Sequence, residues 1–251
     1  MSDNEPFNPM RAAQANMRDP EVKRFYKEVS VAEVESGFAL RLDGRGARTP
    51  GKRPLVAPTR AIAELIAAEW AAQGDVIEPA EMPATRLANS ALDGVAGALA
   101  ETRKEIVRYA GSDLVCYRAE DPAELIALQA EAHDPVLDWA AEALGARFVT
   151  GQGVMFITQP PAAIEAFEAA VRRHQGAFAL AALHSLTSLS GSALIALMVA
   201  RGALAPEQAW RAAHVDEDFQ ISKWGEDDEA VERRRARWRE FEAAAKIAVA
   251  L

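Results

Sequence analysis

GAFALAALHSLTSLSGSALIALMVA, residues 176–200, contains no Asp, Glu, Lys or Arg. A charge-free stretch of this length is compatible with a transmembrane helix, which would attach the protein to a membrane. Its middle holds His184 and several hydroxyl groups that lipid would leave poorly paired, and neither an aromatic belt nor an asymmetry of basic flanks borders it. The composition therefore favours a buried helical hairpin, with a break or a close backbone approach at Ser190 and Gly191. The membrane-attached alternative predicts a protein that pellets with membranes.

The chain around this hairpin is rich in alanine and has a helical pattern from Pro58 onward. Thr59 is the predicted N-cap of the first helix. Further helices are predicted over residues 85–100, 101–110, 122–144, 161–175, 206–224 and 227–251, with a short turn at 112–117 and a short β excursion within 147–158. The pattern predicts a large all-helical domain over residues 83–251.

Residues 25–56 have a different character. Large apolar residues alternate with smaller or polar ones over 38–42, and the sequence DGRG at 43–46 is a hairpin turn signal. We expect a small β-rich domain over residues 21–82, whose last strands are short because prolines interrupt them. Residues 1–20 are polar and contain three prolines, which predicts a disordered tail. The predicted fold class is α+β, a small N-terminal β-rich domain followed by a larger helical domain.

The chain has 251 residues, a formal net charge of -9 and a pI near 5.1. Nucleic-acid binding needs a clustered Lys and Arg surface, so the charge argues against such a partner and favours a protein or a small molecule. The single cysteine, Cys116, excludes an intramolecular disulfide, and we expect it to be a buried small hydrophobe in a reducing compartment. The first residues show neither a basic nor an apolar targeting region, so we expect a cytoplasmic protein.

Three patterns that resemble known ligand sites fail on their context. GARTPGK at 46–52 has the glycine and lysine spacing of a phosphate-binding loop, but Arg53 replaces the required Ser or Thr, and strand-like residues follow instead of a helix. A calcium loop that begins at Asp216 would need glycine where Ile221 stands. The four histidines show no HExxH pattern. We therefore expect no metal site and no cofactor.

An enzymatic alternative stays open. His214 precedes Asp218 by one helical turn, so the two side chains can form the general-base pair of a small-molecule hydrolase or lyase. Pairs at this spacing are more often surface hydrogen bonds. Substituting both residues with Asn while partner binding is followed separates an enzyme from a binding protein.

A helix over residues 206–224 would have two apolar faces. One face is a stripe interrupted by a carboxylate, and within an arc of roughly 80° it contains Trp210, Ala213, Glu217, Ile221 and Trp224. The other face contains Ala212, Val215 and Phe219. The protein's own core can cover one face, whereas the other needs a second cover, either from the same chain or from a partner.

The carboxylate of Glu217 has two explanations, because Glu is rarely buried without a partner. In the first, an internal arginine pairs with it, such as Arg86, Arg108 or Arg118. In the second, the stripe is a binding face, because tryptophan beside charged and apolar groups is typical of protein interfaces.

Motifs along the chain also give a resemblance to a known family. They are LDG at 42–44, TP at 49–50, EW at 69–70 with Gln73, MP at 82–83 followed by Thr85, Leu87, Asn89 and Asp93, DLVCYR at 113–118, DP at 134–135 with Trp139, and DFQISKWG at 218–225. With these motifs, residues 25–235 resemble the mitochondrial and alphaproteobacterial chaperone family that assembles the F(1) sector of ATP synthase by holding its alpha subunit. His133 departs from the pattern, in which a Trp precedes DP.

The resemblance implies a chaperone without enzymatic turnover or cofactor, which shields the apolar interface of the free alpha subunit until the beta subunit replaces it. The acidic position of the family's penultimate helix falls on residues 216–218, and the spacing within the stripe selects Glu217. The candidate partner-binding residues are Glu217, Trp224, Trp70, Asp216, Asp218, Trp210 and Ile221. We expect a monomer that neither binds nucleic acid nor inserts stably into a membrane.

Overall fold

The computed structural model describes residues 22–153 and 155–251. The disordered tail predicted for residues 1–20 lies outside this part of the chain. The described residues form a small β-sheet, a helix against it and a larger group of helices. The predicted α+β class is therefore confirmed.

The N-terminal sheet is antiparallel and is built around one hairpin. Its strands are β1 (Val29–Val34), β2 (Gly37–Leu42), β3 (Arg45–Gly46) and β4 (Val56–Ala57). Strand β2 pairs with the other three, and Val29 of β1 lies opposite Leu42. The predicted turn after β2 is confirmed, because Asp43 and Gly44 have φ values of 49° and 76°, the positive values that such a tight turn requires.

Most of the described chain after residue 59 is helical. They are α1 (Arg60–Ala71), α2 (Pro83–Asp93), α3 (Leu99–Ala110), α4 (Ala123–Leu144), α5 (Pro161–Val171), α6 (Ala177–Ser190), α7 (Ala193–Ala200), α8 (Pro206–Ala213), α9 (Val215–Trp224) and α10 (Asp228–Val249). Thr59 caps α1 as predicted, since its hydroxyl accepts a hydrogen bond from the Ile62 amide at 3.3 Å. The predicted β excursion within 147–158 contains one short strand, β6 (Gly151–Gln152), which pairs in parallel with β5 (Tyr117–Arg118).

Helices α6 and α7 form the buried hairpin that the charge-free stretch predicts. The break lies at Gly191, whose φ of 71° is in the left-handed region that favours glycine. Ser192 then caps α7 by accepting a hydrogen bond from the Ile195 amide at 3.0 Å. Every residue of α7 except Ala200 is buried, and α2, α3 and α10 pack around α6. In the part of the chain that the structure describes, no helix has the length and apolar character needed to span a membrane.

A continuous cluster of buried apolar side chains joins the sheet to the helices. It extends from Tyr26 and Leu40 through the α6–α7 hairpin to Ile247 in α10. The core therefore crosses the predicted domain boundary between residues 82 and 83. The division into two domains, 21–82 and 83–251, stays a prediction.

Two predicted helices are each divided in the structure. The stretch 85–100 contains the end of α2, a 3₁₀ turn at Val95–Gly97 and the start of α3. The stretch 206–224 contains α8 and α9, separated at His214, whose φ of -119° and ψ of 23° are not helical. The neighbours change at the second break, since α8 packs against α4, α6, α7 and α10 whereas α9 packs mainly against α4.

Candidate functional site

A groove opens between α9 and α10, and we call it the α9–α10 groove. Its volume is about 550 Å³. It is lined by Trp210 of α8, by Glu217, Gln220, Ile221 and Trp224 of α9, by Gly225, Glu226 and Asp227 of the connecting loop, and by Ala230, Val231, Arg234, Arg235 and Trp238 of α10. Four of the candidate residues, Trp210, Glu217, Ile221 and Trp224, thus share one surface although the helix is broken at His214.

An aromatic cluster packs at the base of this groove. The ring of Trp210, which is buried, lies 5.5 Å from that of Trp238 and 5.3 Å from that of Phe241 between centroids. His214 lies against the same indole, with 3.8 Å between ring centroids. Trp224 differs from these residues because 79% of its surface is exposed. The groove therefore combines a packed aromatic base with a tryptophan that water still surrounds.

Glu217 lies in the groove without a close ion pair. Its nearest cation is Arg234, whose Nε lies 4.0 Å from the Glu217 Oε2, and 42% of the Glu217 side chain is exposed. The three arginines proposed as internal partners are elsewhere: Arg86 pairs with Glu240, Arg108 with Glu105 and Arg118 with Asp134. The predicted partners are therefore wrong. Sequence spacing cannot find Arg234, because the contact joins two helices across the groove.

The other two carboxylates of the triplet face different neighbours. Asp216 accepts a hydrogen bond of 2.6 Å from the Gln129 side chain of α4. Asp218 pairs with the Arg234 guanidinium of α10. These contacts position α9 between α4 and α10, so of the three acids Glu217 is the one that lines the groove.

Trp70 lies in a different place. It lines a second cavity, of about 490 Å³, together with Phe25, Tyr26 and residues of the β2–β3 hairpin. The Tyr26 ring lies 5.5 Å from the Trp70 ring, and the Tyr26 hydroxyl donates a 2.7 Å hydrogen bond to the Trp70 carbonyl. The structure therefore does not bring Trp70 together with the residues of the α9–α10 groove.

The geometry does not favour a general-base pair at His214. The Nδ1 of His214 lies 2.8 Å from the Trp210 carbonyl oxygen, and burial lowers the pKa of the imidazole. The Asp218 carboxylate is occupied by Arg234. Among the described residues, no group of three or more His, Cys, Asp or Glu side chains is arranged to hold a metal ion.

The second wall of the groove was missed by the reasoning from sequence. Helical spacing places Val231 and Trp238 on one side of α10 with Phe241 and Ala245, and so predicts that all four turn inward. Phe241 and Ala245 are fully buried, whereas Val231 and Trp238 are only partly buried and line the groove. Helical periodicity identifies the apolar side of α10 but does not tell which turns of it remain uncovered.

Several motif residues link the N-terminal region to helix α2. Glu69 of α1 receives hydrogen bonds from the Ala84 amide at 2.6 Å and the Thr85 amide at 2.8 Å, which closes the N-terminus of α2. Burial raises the pKa of this carboxyl, and the hydrogen bonds oppose that rise. Asp93 at the end of α2 accepts a 2.7 Å hydrogen bond from the Thr49 hydroxyl, which ties the β region to the same helix.

His133, the departure from the family pattern, links α4 to α8. Its Nε2 lies 2.9 Å from the Ala212 carbonyl oxygen, and its Nδ1 lies 3.2 Å from the Arg118 guanidinium. Because a carbonyl only accepts, these contacts assign the proton to Nε2 and the lone pair to Nδ1. Burial lowers the pKa of His133, which favours this neutral form. The residue thus fixes the position of α8, and through it one end of the groove.

Comparisons with known proteins give one consistent match. Residues 23–141 match the family described as ATP12 chaperone protein. The fold is similar to that of the Atu1473 protein from Agrobacterium tumefaciens, described as a candidate chaperone, with a TM-score of 0.88, 49% identity, and coverage of 98% of this chain and 91% of that one. It is also similar to Atp12 from Paracoccus denitrificans, with a TM-score of 0.83, 38% identity, and coverage of 91% and 98%. An aspartate-to-lysine mutant of the Paracoccus protein gives a TM-score of 0.84 at 37% identity, with coverage of 92% and 99%.

Proposed function

Because the chain belongs to the ATP12 chaperone family, we propose that it assists the assembly of ATP synthase by binding the unassembled alpha subunit. The family and the similar structures are named as chaperones, so the protein is not an enzyme and the hydrolase or lyase hypothesis for His214 and Asp218 is wrong. The identity of the subunit rests on the motif resemblance. In this proposal the chaperone covers an apolar interface of the alpha subunit until the beta subunit replaces it.

The observation that carries the proposal is the exposed apolar surface of the α9–α10 groove. Trp224 is 79% exposed and lines the same groove as Ile221, Val231 and Trp238. A large exposed aromatic side chain next to other apolar groups is typical of a binding surface, and tryptophan contributes strongly to binding free energy when a partner buries it.

The alpha subunit must leave the chaperone when the beta subunit replaces it, and this limits how tightly the groove can bind. A chaperone that bound more tightly than the beta subunit would block assembly instead of assisting it, since specificity is a difference between two affinities. The half-exposed acid Glu217 within this apolar surface supports a moderate affinity, because burying a carboxylate under a partner costs free energy unless the partner pairs with it. The other candidate residues support the groove. Asp216 and Asp218 position α9, and Trp210 forms the base of the groove.

The test is suppression of alpha-subunit aggregation by the purified chaperone. We expect Trp224→Ala and Glu217→Lys to weaken binding of the alpha subunit about tenfold or more, because one removes the apolar anchor and the other reverses the charge in the groove. The matched controls are Phe156→Ala, an aromatic residue outside the groove that is also strongly exposed, and Glu165→Lys, an exposed acid on α5.

Circular dichroism of every variant separates a lost surface from a lost fold. If well-folded wild-type protein neither co-purifies with the alpha subunit nor prevents its aggregation, the proposed function is wrong. If the controls weaken binding as much as the groove variants do, the client surface lies elsewhere. The Trp70→Phe variant tests whether Trp70, in the second cavity, contributes to binding of the alpha subunit.

We also infer that the protein works as a monomer in the bacterial cytoplasm. Cys116 is fully buried, and burial raises the pKa of its thiol to about 12, so it is neither a reactive thiol nor available to a partner cysteine. Light scattering of the purified protein and fractionation of cells measure the two properties.

A further inference from the structure

The α9–α10 groove is lined by more acidic than basic side chains, and some of these side chains already pair with other residues of the chain. Two arginines line it, and each has its own acid outside the groove lining. Arg234 pairs with Asp218, and Arg235 lies 3.7 Å from Glu232. Arg234 is therefore engaged by Asp218, whereas the Arg235 side chain is 71% exposed and its contact with Glu232 is beyond hydrogen-bond distance. Arg235 can balance only one of the three acids that line the groove, which are Glu217, Glu226 and Asp227.

The acidic side chains of the groove have few hydrogen bonds or ion pairs within the chain. Asp227 accepts a 3.0 Å hydrogen bond from the Ala230 amide at the start of α10. Glu217 lies 4.0 Å from the Arg234 Nε, beyond hydrogen-bond distance. Glu226 is exposed, and none of the ion pairs in the described part of the chain includes it. The charge that remains for a partner is negative, and it lies beside exposed apolar surface.

The distance between Glu217 and Trp224 along α9 also constrains the partner. Both line the groove and both belong to α9, where seven residues, or two helical turns, separate them. Two turns correspond to about 10 Å along the helix axis. A partner that buries Trp224 therefore reaches Glu217 with a group about two helical turns away on its own surface.

We infer that the α9–α10 groove binds an amphipathic helical segment of the client that carries an Arg or Lys about two turns from a large apolar side chain. The apolar side chain packs on Trp224 and Val231, and the cation pairs with Glu217. This inference rests on the proposed function and adds the chemistry of the bound segment. An acidic segment is disfavoured, because its carboxylate would meet three acids, Glu217, Glu226 and Asp227, against the single exposed cation of Arg235.

The experiment uses the full-length protein and labelled synthetic helix-forming peptides. Each peptide carries one Leu anchor and, seven residues later, Arg, Lys, Gln or Glu, and a fifth peptide carries the Arg five residues after the anchor, on another face of the helix. We expect the Arg and Lys peptides to bind about threefold to fivefold more tightly than the Gln peptide, with the Glu peptide weakest. The shifted Arg peptide should bind like the Gln peptide, and high NaCl should reduce the differences.

Two variants of the protein test whether Glu217 causes the preference for the Arg and Lys peptides. Glu217→Gln should remove the difference between the Arg and Gln peptides, and Glu165→Gln on α5 should leave that difference as it is in the wild type. The inference is overturned if no peptide binds, if the Glu peptide binds as tightly as the Arg peptide, or if the preference survives Glu217→Gln. The alpha-subunit aggregation assay separates the two proposals. Protection without peptide discrimination overturns this inference alone, whereas discrimination without protection contradicts the proposed function.

Discussion

Asp113 links the chain before α4 to the central hairpin. Its side chain is fully buried and accepts hydrogen bonds from the Val115 amide at 3.2 Å and the Leu194 amide at 3.0 Å. Burial raises the pKa of Asp113 to about 6 from an ordinary value of 3.8, although the hydrogen bonds favour the charged form. A single carboxyl group thus connects the N-terminus of α7 to the segment 113–118 and makes that connection dependent on pH.

We expect this group to weaken the fold as the pH rises. The folded protein holds the proton more tightly than the unfolded chain, so the stabilisation is complete below about pH 4 and is lost as the pH rises through about 6. The loss is on the order of 3 kcal/mol in the free energy of unfolding. Asp113→Ala removes this dependence, and it also costs roughly 1–3 kcal/mol because buried amides lose their acceptor.

Urea denaturation of both proteins at a series of pH values measures the effect. The difference in unfolding free energy between wild type and Asp113→Ala should be larger near pH 4 than near pH 7. A difference that stays constant over this range would show that Asp113 does not titrate with a raised pKa. Glu165→Ala, an exposed acid on α5, provides the baseline.

At the scale of the element, helix α9 is attached mainly through polar contacts. Phe219 is its one buried residue. Outside that contact, Asp216 is held by Gln129 at 2.6 Å, and Lys223 pairs with Glu124 at 2.7 Å. Exposed ion pairs contribute little stability, so α9 has less to hold it than α6, where most residues are buried.

Native-state hydrogen exchange should therefore show α9 opening at a lower free energy than α6. We expect Phe219→Ala to speed exchange in α9 at least tenfold, because it removes the helix's buried side chain, while the amides of α6 keep their rates. Mass spectrometry with peptide resolution measures both helices in one experiment. Equal protection of α9 and α6 in the wild type would contradict the weaker attachment of α9.

At the scale of the whole molecule, the β region and the helical region are fastened together at α2. Glu69 on α1 closes the N-terminus of α2, and Asp93 near the other end of α2 holds Thr49. The buried core also passes from the sheet into the helices without a break. We therefore expect one cooperative unfolding transition.

Glu69→Ala should lower the unfolding free energy by about 1–3 kcal/mol, because two amides at the start of α2 lose their acceptor. Glu64→Ala, an exposed acid on the same helix, should change it by less than about 0.5 kcal/mol. Urea denaturation followed by tryptophan fluorescence and by circular dichroism measures both values. Separate transitions in wild type would show that residues 21–82 and 83–251 behave as independent domains.

The sequence by itself determined the local features of this protein. The charge-free run at 176–200 required burial, the DG pair at 43–44 required a tight turn, and Thr59 supplied a cap within its own helix. Each of these depends on interactions between residues that are neighbours in the chain, so pattern and propensity are sufficient. The apolar stripe around Glu217 was also visible, because a helix repeats every 3.6 residues.

Only the tertiary structure decided what faces that stripe. The Arg234 contact of Glu217 and the second wall formed by Val231 and Trp238 arise where α9 faces α10, and the break at His214 separates two helices with different neighbours. Periodicity identifies an apolar face, but the residue that covers it can come from any distance along the chain. The same limit explains why Trp70 was grouped with the groove residues, since apolar character in sequence carries no information about separation in space.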